Sequence, residues 1–207
     1  MRWLALLLPS LLSAGCGGTA NPASAFPVDG AALLVTGPLP FAADQAAAVT
    51  GLAACTPSGA SPYALAWGEV IASDLSGVCG LLLAGEEKAS RLTVRLLVAL
   101  PGKAGSALPL ATGAYPVAAL AGDGSGPWAM LSVVASDGRC DLGAIPASDG
   151  VVTITAADAG QLQGTVSADL EGGGTVQGSF GVDLCAASLA GDACDGPPAL
   201  ASPGCAQ

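Results

Sequence analysis

The chain has 207 residues with 6 Lys+Arg against 16 Asp+Glu, no histidine and seven cysteines, and 43 of its apolar residues are alanines, which bury little area each. That length allows one domain, or one with a small appendage, and a net charge of −10 repels phosphate backbones, excluding nucleic acid as a partner. Without imidazole, Ser-His-Asp, Cys-His and histidine-metal chemistry are unavailable; nor is there a G-x-S-x-G elbow, since Gly122-Asp123-Gly124-Ser125-Gly126 places its serine one residue late.

Residues 1–15 read as an export signal. Arg2 supplies the positive start, and Leu4 to Leu12 form an apolar run too short to span a bilayer. Leu12-Ser13-Ala14-Gly15-Cys16-Gly17 follows. It resembles the bacterial lipobox, in which small residues precede a cysteine that is acylated and becomes the new N-terminus. Ser13 departs from the preferred Leu or Val, although Leu12 lies immediately upstream. An ordinary secretory signal cleaved nearby is the alternative, and both readings export the chain. Gly17, rather than Asp, after the cysteine resembles outer-membrane sorting. With Cys16 lipidated, residues 16–30 are small and proline-bearing and form a tether with a reach of roughly 20 Å.

Cys55, Cys79, Cys140, Cys185, Cys194 and Cys205 then remain, an even set in a compartment that permits disulfides. Six cysteines allow fifteen connectivities. Of these, the pairing guessed is Cys55 to Cys79, Cys140 to Cys185 and Cys194 to Cys205. A metal cluster lacks both a C-x-x-C pair and any histidine.

Beyond the tether the dominant period is two. Ala31 to Thr36 and Ala46 to Thr50 are weak strand candidates. Tyr63 to Ile71 is a clearer one, with its larger residues on one face. Leu81 to Lys88 has no alternation and reads as a short helix or helical turn near residues 79–90. Arg91 to Val98 alternates cation or hydroxyl with aliphatic until Pro101-Gly102 stops it. Ala111 to Val117 and Trp128 to Ala135 follow, then Val151 to Thr155.

The cleanest pair closes the domain. In one run Leu162, Gly164, Val166, Ala168 and Leu170 point inward; in the next, Val176, Gly178, Phe180, Val182 and Leu184 do so. Glu171-Gly172-Gly173-Gly174 between them predicts an antiparallel hairpin, reached from Val151 to Thr155 through a turn at Asp158 to Gly160. The strand glycines mark a bend or room for a cross-strand ring. Residues 31–185 are thus expected to be all-β, an antiparallel β-sandwich or closed β-barrel of about eight to ten short strands. Residues 186–207 lose the alternation and read as a disulfide-looped tail.

The lipobox, Trp67-Gly68-Glu69-Val70, Gly113-Ala114-Tyr115-Pro116-Val117, Asp137-Gly138-Arg139-Cys140, Gly150 to Thr155 and Gly178-Ser179-Phe180 through Leu184-Cys185 together resemble uncharacterised lipoproteins of GC-rich, myxobacterial-type bacteria. The resemblance implies an envelope anchor. It implies no catalytic residue.

Candidate sites are few. Asp123, Asp137, Asp141 and Asp149 fall in or beside loops that could offer oxygen to Ca²⁺, but no D-x-[DN]-x-[DN]-G array exists and Asp-Gly pairs form ordinary turns. Asp192 and Asp195 beside Cys194 read as a solvated loop. Glu69 shares a strand face with Trp67 and Ile71. As a general acid it would need a second carboxylate nearby, and a partly exposed sheet-edge glutamate is the simpler reading. Tyr63, Trp67, Tyr115 and Trp128 are expected to fill the core. Arg91, Thr93 and Arg95 are expected on a solvated strand face rather than in an anion patch.

The leading expectation is therefore a lipid-anchored β-domain of the cell envelope with a structural or interaction role, no cofactor and no catalytic signature. A carrier of a small apolar ligand in a barrel cavity and a carboxylate-dependent hydrolase are the alternatives.

Overall fold

A computed structural model describes residues 30–56, 61–80, 91–103, 109–118, 126–137, 142–158 and 160–185. Ten strands form: β1 (Gly30–Val35), β2 (Phe41–Ala43), β3 (Gln45–Cys55), β4 (Tyr63–Ser73), β5 (Leu92–Lys103), β6 (Gly113–Pro116), β7 (Trp128–Ser136), β8 (Leu142–Ala157), β9 (Gln161–Leu170) and β10 (Thr175–Asp183). They build one antiparallel curled sheet in the order β2-β1-β10-β9-β8-β7-β5-β4-β3, with β6 beside this path on β8. The all-β expectation holds. The only described helical residues are the single turn Val78–Gly80; Leu81 to Lys88 lie outside the described residues.

The β9–β10 hairpin forms as its alternation demands. Thr175 faces Asp169, and Phe180 faces Gly164. Gly172, Gly173 and Gly174 all take positive φ, and Leu170 N donates to Gly174 O at 3.0 Å. Gly164 makes room for the Phe180 ring, because a Cβ there would lie 2.7 Å from Cζ. The β8–β9 turn is held by the Asp158 carboxylate, which accepts from the Gly160 and Gln161 amides at 2.9 Å each.

Three strands differ from the sequence reading. β8 runs sixteen residues, not five, because Ser148-Asp149-Gly150 is absorbed as an irregularity. The register on β9 shifts between Ala147 and Asp149 and again between Ile154 and Ala156. These shifts let one strand pair with β7 through Leu142–Pro146 and with β6 through Val151–Ile154. β5 continues through Pro101 and Gly102, opposite Leu65 and Ala64. Proline is tolerated because the last β5–β7 pair is Ala99 with Trp128, leaving a sheet edge beyond it. β3 extends to Cys55, its signal weakened by five alanines.

The curl brings the segment after β10 against β3. Leu184 bridges Ala48 of β3 in parallel while its own amide donates to Gly160 O at 2.9 Å, and Cys185 N donates to Ala48 O at 2.8 Å. The inner face is filled by Val70, Leu96, Val98, Tyr115, Leu131, Ile154, Leu162, Phe180 and their neighbours. Fully burying each large side chain contributes roughly 1.5–3 kcal/mol.

Candidate functional site

The outer face of β3, β4, β5 and β7 is also apolar. Leu65, Trp67 and Ile71 of β4 pack with Leu97, Ala99, Trp128, Val78, Cys55 and Cys185 in a second cluster. This explains why β4 shows so little alternation in burial, since nine consecutive residues from Leu65 to Ser73 are buried. The core-filling expectation for Trp67, Tyr115 and Trp128 is met, while Tyr63 is half-buried at the cluster's edge.

Glu69 lies within this cluster and corrects the edge-glutamate reading. Its strand is flanked on both sides, by Val49 of β3 and Leu97 of β5, and the residue is 2% exposed. Its carboxylate forms an ion pair with Arg95, which is 11% exposed. Arg95 stands opposite Ile71, two positions along from Glu69 on the same face, a diagonal that long side chains span. The solvated-face expectation for Arg91, Thr93 and Arg95 fails for the same reason: the outer face is covered. Arg91 and Thr93 are both 1% exposed. Arg91 Nη2 donates to Ser76 O at 2.8 Å, and its backbone amide donates to Ser136 Oγ at 2.9 Å. Glu69 is therefore committed to a cation, not turned toward a second acid.

Cys79 and Cys185 form a disulfide with Cα atoms 5.8 Å apart and 106 residues of separation. This overturns two expected bridges, Cys55 to Cys79 and Cys140 to Cys185. That pairing fails because the curl carries the end of β10 onto β3, directly beside the helical turn at Cys79. Cys55 is itself disulfide-bonded. Cys16, Cys140, Cys194 and Cys205 lie outside the described residues, as do Asp123, Asp141, Asp192 and Asp195.

A cleft of about 370 Å³ opens beside β3. Its walls are Thr50, Gly51 and Leu52, Trp67 beneath them, and Pro109, Leu110, Ala157 and Asp158 opposite. Gly51 faces Trp67 across the β3–β4 ladder, and a Cβ on Gly51 would fall 2.7 Å from the indole, so the missing side chain lets the ring lie flat under the strand. Leu52 is 57% exposed at the rim. The lining is mostly apolar, and its one acid, Asp158, is occupied by its turn.

Among the described residues no group of three or more His, Cys, Asp and Glu could hold a metal ion. Asp149 accepts from the Gly150 amide at 2.6 Å in the β8 irregularity. No helix among the described residues is long and apolar enough to cross a membrane. No protein-family model, curated protein or solved structure matches the chain.

Proposed function

We propose that this protein is an exported, lipid-anchored β-domain that serves a structural or interaction role at the cell envelope, held there by acylated Cys16. The observation that carries the reading is the cysteine inventory: Cys55, Cys79 and Cys185 are all disulfide-bonded, as suits an oxidising compartment, and the odd seventh cysteine follows a lipobox-like segment. The Ala48 to Leu184 bridge supports reading the curled sheet as a closed barrel with a packed interior. Fractionation tests the anchor. In a bacterial host, the wild type should remain in carbonate-washed membranes and Cys16→Ser should be released. Equal partitioning of the two would refute it.

The cleft favours a second reading, the carrier of a small apolar ligand, with the ligand beside β3 and not inside the sheet. Titration with an apolar fluorophore tests it: binding should be saturable and weakened by Leu52→Glu at the rim. Non-saturable binding, or equal binding by that variant, removes this reading.

A further inference from the structure

The cleft beside β3 is lined by a donor that has nothing to bond. Trp67 is 1% exposed, and its indole Nε1 has no hydrogen-bond partner, although a buried tryptophan N–H usually finds one. The nitrogen lies on the ring edge that packs against Gly51, since a Cβ on that glycine would meet Cζ2, Cε2 and Nε1 at 2.7, 2.8 and 2.9 Å. Gly51 and Trp67 both line the cleft. An indole nitrogen donates and cannot accept, so whatever satisfies it must bring an acceptor. A buried donor left unpaired carries a desolvation cost that a direct hydrogen bond removes.

The walls restrict that acceptor further. Leu52, Pro109, Leu110 and Ala157 supply apolar surface and Thr50 a hydroxyl, and no lysine or arginine stands among the described residues that line the cleft. The Asp158 carboxylate is on the opposite wall, tied to the Gly160 and Gln161 amides, and the whole chain carries a net charge of −10. An anionic acceptor would be repelled, and once desolvated it would have no cation to pair with. A neutral oxygen meets neither penalty. The volume of about 370 Å³ is near the lower limit of the roughly 300–1,000 Å³ of ligand pockets, which suits a single ring or a short chain.

We propose that the cleft binds a small neutral molecule with an apolar body and one carbonyl, ether or hydroxyl oxygen, which accepts a hydrogen bond from Trp67 Nε1. This rests on the carrier reading above and adds the chemistry that selects the ligand. The nitrogen is closed off from water, so the bond forms as the ligand passes the exposed Leu52 rim and seats against Gly51. Trp67 is then a specificity-determining residue. Apolar contact supplies most of the binding, and the donor favours oxygen-bearing molecules over hydrocarbons of the same shape. The Trp128 indole is an internal control: its Nε1 is also unpartnered, but it stands two strands from Trp67, across Ala99, and forms no wall of the cleft.

Acetophenone and α-methylstyrene test this as a matched pair, since a carbonyl oxygen in one stands where the other has a methylene. The full-length chain carries Cys16→Ser, so that no acyl chain competes for apolar probes, and is ¹⁵N-labelled. Its three indole N–H resonances are assigned by replacing each tryptophan in turn, and Trp67 is fixed by elimination should Trp67→Phe not fold. Acetophenone should bind saturably and shift the Trp67 N–H downfield, more than α-methylstyrene does, while the Trp128 signal moves little. Trp67→Phe should lower the affinity for acetophenone relative to α-methylstyrene by about 2- to 10-fold, the contribution of one neutral hydrogen bond, and Trp128→Phe should leave that ratio unchanged. Equal shifts with both probes, or an unchanged ratio in Trp67→Phe, would overturn the proposal and leave the carrier reading standing. Benzoate binding more tightly than acetophenone would overturn the neutral acceptor. Saturable binding of neither neutral probe would remove the carrier reading and this proposal together.

Discussion

Replacing Glu69 by glutamine leaves the Arg95 guanidinium in an apolar cluster without its counter-charge. Glu69 is 2% and Arg95 11% exposed, so water cannot take over the lost interaction fully. Breaking a buried pair by removing one partner costs about 3–5 kcal/mol, and the residual exposure of Arg95 puts Glu69→Gln at the lower end. At about 2–4 °C per kcal/mol for a chain of this size, Tm should fall by roughly 6–12 °C. The double variant Glu69→Leu with Arg95→Met removes both buried charges and should recover most of the loss, as apolar replacement of such pairs is often neutral. Urea denaturation is the assay, followed by tryptophan fluorescence, since Trp67 and Trp128 lie in the same cluster as the pair. A single-variant loss under about 1 kcal/mol, the range of exposed pairs, would refute this reasoning. So would a loss that disappears in 1 M salt, because buried pairs are poorly screened.

Three other outcomes follow from the geometry. Cys79→Ser opens a 106-residue loop and should cost about 2–5 kcal/mol, read as a lower urea midpoint, with reductant lowering the wild-type midpoint at least as far because it also breaks the Cys55 bridge; an unchanged midpoint in Cys79→Ser contradicts the assigned bridge. Gly178 has φ +142°, and a Cβ there would collide with the Ala32 carbonyl of β1. Gly178→Ala should therefore destabilise by at least about 1 kcal/mol, whereas a neutral result by calorimetry would show that β1 pairs elsewhere. Burial raises the Tyr115 pKa above its usual 10.0, and the protonated hydroxyl donates to Ala111 O at 2.6 Å. The folded state thus holds that proton more tightly, and its stabilising effect is present below about pH 10 and lost as pH rises through the raised value. Tyr115→Phe should flatten the alkaline decline in stability, and a parallel decline in both proteins would refute the assignment.

The parts of the fold visible in the sequence were those where one face is wet. The β9–β10 hairpin was readable because Gln163, Thr165 and Ser167 alternate with Leu162, Gly164 and Val166, and because three glycines follow Glu171. Strands β3, β4 and β5 were harder. Both of their faces are apolar, so alternation no longer distinguishes inside from outside, and Glu69 and Arg95 looked like surface residues. Only the pairing of β4 with β5 shows that they are diagonal neighbours. The same limit applied to the cysteines: a curl that returns β10 to β3 joins residues 106 positions apart, which no spacing rule anticipates. The cleft was not legible: Gly51 lies beyond the expected Ala46 to Thr50 strand, and only the β3–β4 register pairs it with Trp67, sixteen residues away. The irregularity in β8 was hidden because Ser-Asp-Gly is also the signature of a turn.

The proposed lipid anchor at Cys16 is the central functional claim, and metabolic labelling with radioactive palmitate tests it most directly. Wild-type protein expressed in a bacterial host should incorporate label that survives denaturing electrophoresis, and Cys16→Ser should incorporate none. An unlabelled wild type, or label that persists in Cys16→Ser, would contradict the anchored-domain account.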